Sequence, residues 1–538
     1  NKKKTDKAYD HIDLKEVAPL HDSLKTYAGR MHTRRMQDLP FKPGTVLSKE
    51  QRDIVRWYCV NDLRCTEELY NELLPAIVLR EAMSKEYKTD VRSKSDAQVA
   101  EAVILSGIKA LTGQQRFEKP QVEVGKIFNY QIPKYIKYET PLLNWVLDRV
   151  RRANFVIDFG GEVIKPEGFP LEFKIADAEY TMGIGGLHSK EKKVSHYSGS
   201  DWLLIDRDVA SFYPRVILTQ ALYPKHLGPS FLRVYKSIVE RRLAAKDQAA
   251  ALKKKWKGQA MPSEVAAMVA ELTTTADSLK ITINGSFGKF GNAYSMLYSP
   301  NLMIQVTLTG QLVLLMLIER LELAGIRVVS ANTDGIVIKC HKTQKEKLDE
   351  IVKKWEEDID CQTEETKYKS THQRDVNSYF AIKEDGEVKV KGAYSEKGSA
   401  GNSILSKNPT SLIAADAVKK FLLDGTPVDH TIRSSKDIRR FVTVRAVSGG
   451  GVKVYAEPGK EDASLPPNEY LGKVVRWYYS STVTGDIVYS ESGKKVGSSD
   501  GARPCMELPE EFPEDLNYDF YIEKARKILK EIGAIETV

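Results

Sequence analysis

Residues 202–214 read Trp202-Leu-Leu-Ile-Asp206-Arg-Asp208-Val-Ala-Ser-Phe-Tyr213-Pro214, and residues 326–338 read Ile326-Arg-Val-Val-Ser-Ala-Asn332-Thr-Asp334-Gly335-Ile-Val-Ile338. The first is an apolar, strand-like run that ends in acids. The second has β-branched runs on both sides of an Asp-Gly turn, which predicts a hairpin. Each stretch places one carboxylate, Asp208 or Asp334, where a sheet projects it past its edge on rigid backbone, as a metal site requires. Hard ions such as Mg²⁺ take oxygen ligands, usually one or two carboxylates plus substrate phosphates. Two such ions ~4 Å apart stabilise the attacking and leaving oxygens of a phosphoryl displacement. Taken singly, either acid is equally well a turn residue or a strand terminator.

Between these stretches the pattern is helical, from Phe231 to about 257 and from Pro262 to about 288. Within the second helix runs Lys280-Ile-Thr-Ile-Asn284-Gly-Ser-Phe287-Gly288. Helical spacing puts positions 280, 284 and 287 on one face, so a cation, an amide and an aromatic ring share one surface. Its Ile-Thr-Ile run is a poor intrinsic helix former and must be held by packing. On the first helix Arg242 and Lys246 stand four apart, a pair suited to gripping a triphosphate, or else a solvated face. From Leu232 to Asn292 there are eleven Lys or Arg against five Asp or Glu. That excess fits a polyanion surface, and a solvated helix pair accounts for it equally.

Working outward, residues 1 to about 90 read as mostly helical, with Ser48 and Gln51 at capping-box spacing. A further helix follows Ser95, another covers about 302–324, and the chain closes on a helix from Tyr518 to Ile532 stopped by Gly533. At 538 residues and ~150 per domain, three or four domains are expected. A hydrophobic share of 42% and a charged share of 29% exclude a disordered or collagen-like chain. The longest strongly apolar run, Leu312 to Ile318, falls short of the ~20 residues that span a bilayer. No signal-peptide pattern follows the opening Asn-Lys-Lys-Lys. Five cysteines lack metal-ligand spacing and point to a reducing compartment without disulfides. A soluble, cytoplasmic chain without membrane contact is expected. Because it opens on Asn, it is read as a piece of something longer.

Together the quoted stretches resemble family B DNA polymerases. Asp208-Val-Ala-Ser-Phe-Tyr-Pro resembles motif A, Lys280-x-x-x-Asn284-x-x-Phe287-Gly288 motif B, and Asn332-Thr333-Asp334-Gly335 motif C. Val239-Glu-Arg-Arg242 through Lys246 is similar to the first fingers helix. The wording is most similar to polymerases of tailed bacteriophages and related mobile elements. The resemblance implies that Asp208 and Asp334 hold two catalytic Mg²⁺ ions (Mn²⁺ as substitute), with the Val209 carbonyl as a further ligand. It implies that Ser211, Phe212, Arg242, Lys246 and Lys280 bind the triphosphate. Tyr213 would pack under the sugar and exclude a 2′-hydroxyl, and Asn284, Phe287 and Gly288 would face the nascent base pair. Motif C departs from the pattern, with Asn332 for the first Asp and Gly335 for Ser. Asp206, two residues before Asp208 and so on the same strand face, is a candidate for the missing charge.

Further resemblances are local. Tyr58-Cys-Val-Asn-Asp62 resembles the third motif of the family's 3′–5′ exonuclease, whose opening acidic pair is absent from residues 1–90. Tyr180-Thr-Met-Gly-Ile-Gly185-Gly186 resembles the loop that touches template. Asn377-Ser-Tyr379 stands where the family has Lys-x-Tyr. Lys391-Gly392 resembles the palm lysine at the primer. Lys473-Val-Val-Arg476-Trp-Tyr-Tyr479 is a basic–aromatic stretch fit for phosphate contact, or a half-buried strand.

The expectation is an α+β multidomain right hand. Residues 1–90 would be the C-terminal remnant of a ribonuclease-H-like exonuclease domain, 91–199 a connecting region, 200–230 and 290–400 the palm, 231–289 the fingers and 401–538 the thumb. The implied reaction is attack of a primer 3′-hydroxyl on a dNTP, with primer–template DNA, dNTPs and helicase or other replisome proteins as partners. The rivals are a weakened, polymerase-derived DNA-binding accessory protein and a metal-dependent nuclease. Joint retention of Asp208, Tyr213, Lys280 and Asp334 disfavours the former; the missing exonuclease acids disfavour the latter. Only 66 residues separate Tyr213 from Lys280, too few for the insertion of protein-primed relatives.

Overall fold

Two capping boxes start the first long helices. Gln51 N–H donates to Ser48 Oγ (3.2 Å) and Ser48 N–H to Gln51 Oε1 (2.9 Å), opening α1 (Lys49–Glu86). Ser95 and Gln98 make the same exchange at the head of α2 (Asp96–Thr112), which Gly113 ends in the left-handed conformation. The computed structural model describes residues 10–455 and 468–534. Parts of the expected exonuclease remnant (1–9) and thumb (456–467 and 535–538) lie outside the described residues.

Compact packing divides the chain into two units. The first is built mainly on Ala76–Lys192 and His196–Ser370. Its central strand is β1 (Trp202–Val209), followed by the short helix α3 (Phe212–Thr219). Two long helices, α4 (Ser230–Lys255) and α5 (Ser263–Phe290), pack on each other, and α6 (Pro300–Leu323) follows. The hairpin β2 (Arg327–Ala331) and β3 (Gly335–His341) lays β3 antiparallel against β1, and β4 (Thr363–Asp375) covers the other side of β1. In this register Asp208 stands opposite both Gly335 and Glu364.

Packing decides what propensity could not. The Ile281-Thr282-Ile283 run stays helical in α5 because Thr282, Ile283 and Ser286 are buried. At Gly285 the start of α2 crosses α5 so closely that a Cβ would meet the Asp96 carbonyl at 2.7 Å. The apolar run at 312–318 is only the middle of α6, which is long and apolar enough to cross a membrane by composition. In this unit 83% of its most apolar stretch is buried instead. Beneath it lies α7 (Lys345–Ile359), an amphipathic helix whose Leu348, Val352, Trp355 and Ile359 face inward. The Trp355 indole donates to the Val313 carbonyl at 2.8 Å.

The second unit joins Leu14–Pro75 to the chain from Thr371 onward. Its main sheet pairs β5 (Thr443–Val454) with β6 (Asn468–Tyr479), and α8 (Tyr518–Glu531) packs in the same unit. Arg476 of β6 is fully buried. Its guanidinium donates to the carbonyls of Cys505 (2.6 Å), Thr33 (2.7 Å), Arg34 (3.1 Å) and Met506 (3.3 Å). The expectation that Arg476 contacts DNA is therefore corrected. Its donors are consumed by backbone, which binds residues 33–34 to this sheet.

A comparable tie in the first unit predicts a stability effect. Buried Glu319 accepts from the N–H groups of Glu139 (3.0 Å) and Thr140 (2.8 Å) and from the Thr140 hydroxyl (2.5 Å). Glu319→Ala leaves these donors unpaired and is expected to cost about 3 kcal/mol, read as an earlier midpoint in denaturant unfolding. Glu319→Gln retains an acceptor and should lose less.

Candidate functional site

The site grows from one backbone bond. Val209 N–H, at the end of β1, donates to the Asp334 carbonyl at 2.7 Å, which pins the β2–β3 turn to the strand that carries Asp208. Asn332 shapes that turn. Its side-chain oxygen accepts from Gly335 N–H (2.8 Å) and Asp334 N–H (3.2 Å), and its own N–H donates to the Gly335 carbonyl (3.0 Å). The turn is thus centred on Thr333 and Asp334, not on the Asp-Gly pair the sequence suggested, and Gly335 is the first residue of β3. A Cβ on Gly335 would lie 2.3 Å from Asp208 Oδ1 and 3.0 Å from the Arg207 carbonyl. The Asp208 carboxylate occupies the space a Cβ would need, so a larger residue would have to push that carboxylate aside.

After Val209 the chain turns sharply. Ser211 adopts a left-handed conformation (φ 52°), sparsely populated by non-glycine residues. Its hydroxyl accepts from Arg242 Nη1 at 2.8 Å, bringing α4 to the sheet edge. Ser211, Tyr213, Arg242, Asn284, Thr333 and Asp334 line one pocket of about 240 Å³. Val209, Phe212, Pro214 and Ile283 complete it. Motifs far apart in sequence therefore meet around one cavity.

Tyr213 is wedged at its wall. Its hydroxyl donates to the Gly185 carbonyl (3.1 Å) and its ring sits 4.6 Å from that of Phe287. Burial, with the nearby Asp334 charge, pushes its phenol well above the ordinary value. Gly186 abuts Thr333, where a Cβ would approach the hydroxyl to 2.6 Å, and Gly310 of α6 leaves room for the Tyr213 ring at 3.0 Å. The Gly185-Gly186 loop thus packs against the pocket. Gly310 had no signal in the sequence. Lys280, Asn284 and Gly288 are exposed on α5, with Phe287 half-buried between them.

Two acids change standing. Glu364 was not singled out from sequence, yet it stands opposite Asp208 across the β1–β4 ladder and forms an ion pair with Lys246 (2.5 Å). Only strand register could have revealed it. Asp206 does lie on the face of β1 that carries Asp208, but it is buried and accepts from the Tyr368 hydroxyl at 2.6 Å. Its carboxylate helps hold β4 to β1.

The donor chemistry suits a hard cation, since Asp334 and Val209 in the pocket and Asp208 beside it offer only oxygen. Among the described residues no three His, Cys, Asp or Glu side chains gather as a cage. The remaining expected site residues lie in the second unit. Asp62 pairs with Lys25, whose ammonium also sits 4.3 Å from the Tyr58 ring centroid. Burial lowers the Lys25 pKa, but its Asp62 and Tyr58 partners more than offset this and raise it. Lys391 N–H donates to the Tyr379 carbonyl (2.9 Å), and Gly392 follows with φ 63° where a Cβ would collide with the Asn377 carbonyl. The Lys407 ammonium holds the loop by the carbonyls of Gly392, Ala393 and Ser395 (2.9, 2.9 and 2.5 Å).

Gly335→Ala is expected to displace the Asp208 carboxylate and to weaken Mn²⁺ binding at the pocket at least tenfold, as followed by electron paramagnetic resonance. Asn332→Asp keeps the turn acceptor and should leave the fold intact, whereas Asn332→Ala removes it. Mn²⁺ affinity unchanged in Gly335→Ala would show that Asp208 can bind metal from elsewhere.

No family model matches the chain. Over 122 residues it is 26% identical to DNA polymerase 1 of Sulfolobus acidocaldarius, a stretch covering 22% of this chain and 14% of that protein. Among solved structures it is similar to the family B DNA polymerase of the hyperthermophilic archaeon Pyrobaculum calidifontis. There the identity is 16% and the TM-score 0.43, over 97% of this chain and 62% of that one. The chain thus spans less than two thirds of each protein's length.

Proposed function

We propose that this chain is a DNA-directed DNA polymerase of the family B type, extending a primer 3′-hydroxyl with a dNTP. The observation that carries the reading is the pocket itself. The Asp334 carboxylate, the Arg242 guanidinium and an aromatic floor converge on one cavity, and Asp208 stands beside it on the sheet edge, opposite Gly335. The stretch of identity to DNA polymerase 1 of Sulfolobus acidocaldarius supports the same reading. A phage or mobile-element setting belongs to this proposal on the motif wording alone, as do helicase or replisome partners.

The residues divide the work. Arg242 and Lys246 hold the triphosphate, with Lys280 on the facing helix; Lys246 exchanges its Glu364 partner for a phosphate. Because that ion pair is about half exposed, its loss costs roughly 1 kcal/mol or less, which a multiply charged phosphate group readily repays. Asp208 and Asp334 would hold two Mg²⁺ ions, which supply charge stabilisation to the attacking and leaving oxygens. Tyr213, fixed by Gly185 and Phe287, presents its ring to the sugar. Phosphoryl transfer asks mainly for such positioning and electrostatics. On the same reading Tyr58 and Asp62 derive from an exonuclease motif. With Asp62 bound to Lys25, no 3′–5′ degradation by this chain is proposed.

Primer extension on a recessed template with Mg²⁺ and dNTPs tests the proposal directly. Asp208→Ala and Asp334→Ala should each lower extension by at least a thousandfold, while primer–template affinity stays within about twofold, because these side chains hold metal rather than DNA. Extension that survives either change sinks the assignment.

Ribonucleotide discrimination checks the pocket floor separately. Tyr213→Ala should narrow the preference for dNTP over rNTP by about a hundredfold in kcat/KM, close to 2.7 kcal/mol. Unchanged discrimination would place the sugar gate on another residue.

A further inference from the structure

The end of α4 carries Lys253-Lys254-Lys255-Trp256-Lys257, and no acidic residue occurs between Asp247 and Glu264. All four lysines are exposed, and Trp256 is half-buried among them. Among the described residues none of the four takes part in a salt bridge. A helix C-terminus favours cations in its last turn. That field does not explain a fourth lysine beyond the helix end, nor an indole placed inside the cluster. Four like charges in five residues repel one another, and a polyanion relieves this by neutralising them and releasing its own counterions.

The tip also has a direction. At 100° per residue Arg242, Lys246 and Lys253 fall within ~40° on one side of α4, a basic row leading away from the pocket. Eleven residues of helix separate Lys253 from Arg242, roughly 16 Å of rise. That exceeds the ~10 Å screening length at 0.1 M salt. The tip lysines therefore contribute little to a triphosphate held at Arg242, and their anion is a separate one that comes within reach of the tip. Lysines interleaved with an aromatic ring suit single-stranded nucleic acid, whose phosphates meet the cations and whose unpaired bases stack on the ring. In a duplex those base faces are already covered.

We propose that the 253–257 tip binds the backbone of a single-stranded nucleic acid, with Trp256 stacking on a base. On the polymerase reading, on which this placement rests, the strand is the unpaired template. The test uses the full chain and the probe oligo(dT)20, followed by fluorescence anisotropy. Replacing the four lysines together (K253Q/K254Q/K255Q/K257Q) should weaken binding about tenfold at 0.1 M salt. It should also reduce the slope of log K against log salt by about 2 to 3, at ~0.7 per phosphate contact. Trp256→Ala alone should weaken it about tenfold with the slope retained. A primer–template with a 15-nucleotide 5′ overhang should lose affinity in the fourfold variant, and one with a 2-nucleotide overhang should not. Unchanged affinity and slope for oligo(dT)20 overturn the proposal. Displacement of oligo(dT)20 by polyglutamate at equal charge concentration overturns it in favour of an acidic protein surface. Equal losses on both overhangs overturn the template placement. Oligo(dT)20 binding needs no catalysis, so tip-dependent binding without primer extension would sink the polymerase reading alone. Extension without tip-dependent binding would sink the tip alone.

Discussion

The backbone bond from Val209 N–H to the Asp334 carbonyl fixes the register on which the candidate site depends. Side chains alternate along a strand, so a slip of one residue would carry Asp208 to the opposite face. The register is held from both sides of the ladder. The Asn332 side chain closes the turn, and Gly335 leaves room for the Asp208 carboxylate where a Cβ would crowd it. Two departures from the motif C pattern, Asn332 and Gly335, thereby have local structural roles. Neither depends on whether a lost carboxylate is replaced, and Asp206 is occupied by Tyr368 in any case.

Around that register the pocket combines strain with exchangeable charge. Ser211 holds a left-handed conformation that costs on the order of 1 kcal/mol or more, sustained by the sheet edge before it and by Arg242 above it. The Lys246–Glu364 pair, in contrast, is exposed and weak. Rigid backbone thus sets where the carboxylates and the aromatic floor stand. The cations on α4 remain able to change partner.

In the second unit, buried charge serves architecture. Arg476 donates to four backbone carbonyls and Lys407 to three. Each anchors irregular chain that no helix or strand would hold. Desolvating a guanidinium is costly unless its donors are satisfied, so such a residue is as fixed as any core leucine. A basic residue beside aromatics in sequence is therefore ambiguous. Arg476 resolves inward and the lysines at 253–257 outward, and only the surrounding strands distinguish them.

The sequence alone determined what is periodic or locally encoded. The capping box at Ser48, the helix after Ser95, the helices flanking residue 260, the hairpin around Asn332 and the order of the quoted motifs rest on spacings within a few residues. It also pointed to Tyr213, Arg242, Asn284 and Asp334, which line one pocket, and to Asp208, which stands opposite Gly335 on the neighbouring strand. What rests on register and on crossings distant in sequence was decided only in tertiary structure. Glu364 comes opposite Asp208 by strand pairing, and Gly310 and Gly186 matter for what packs against them. The apolar stripe of segment 345–359 finds its partner, α6, only in the fold. Residues 14–75 join the later half of the chain through Arg476. The physical reason is common to all of these: propensity and pattern act over one or two turns, whereas a missing Cβ, a buried guanidinium or a facing carboxylate takes its meaning from a neighbour that the chain reaches only by folding.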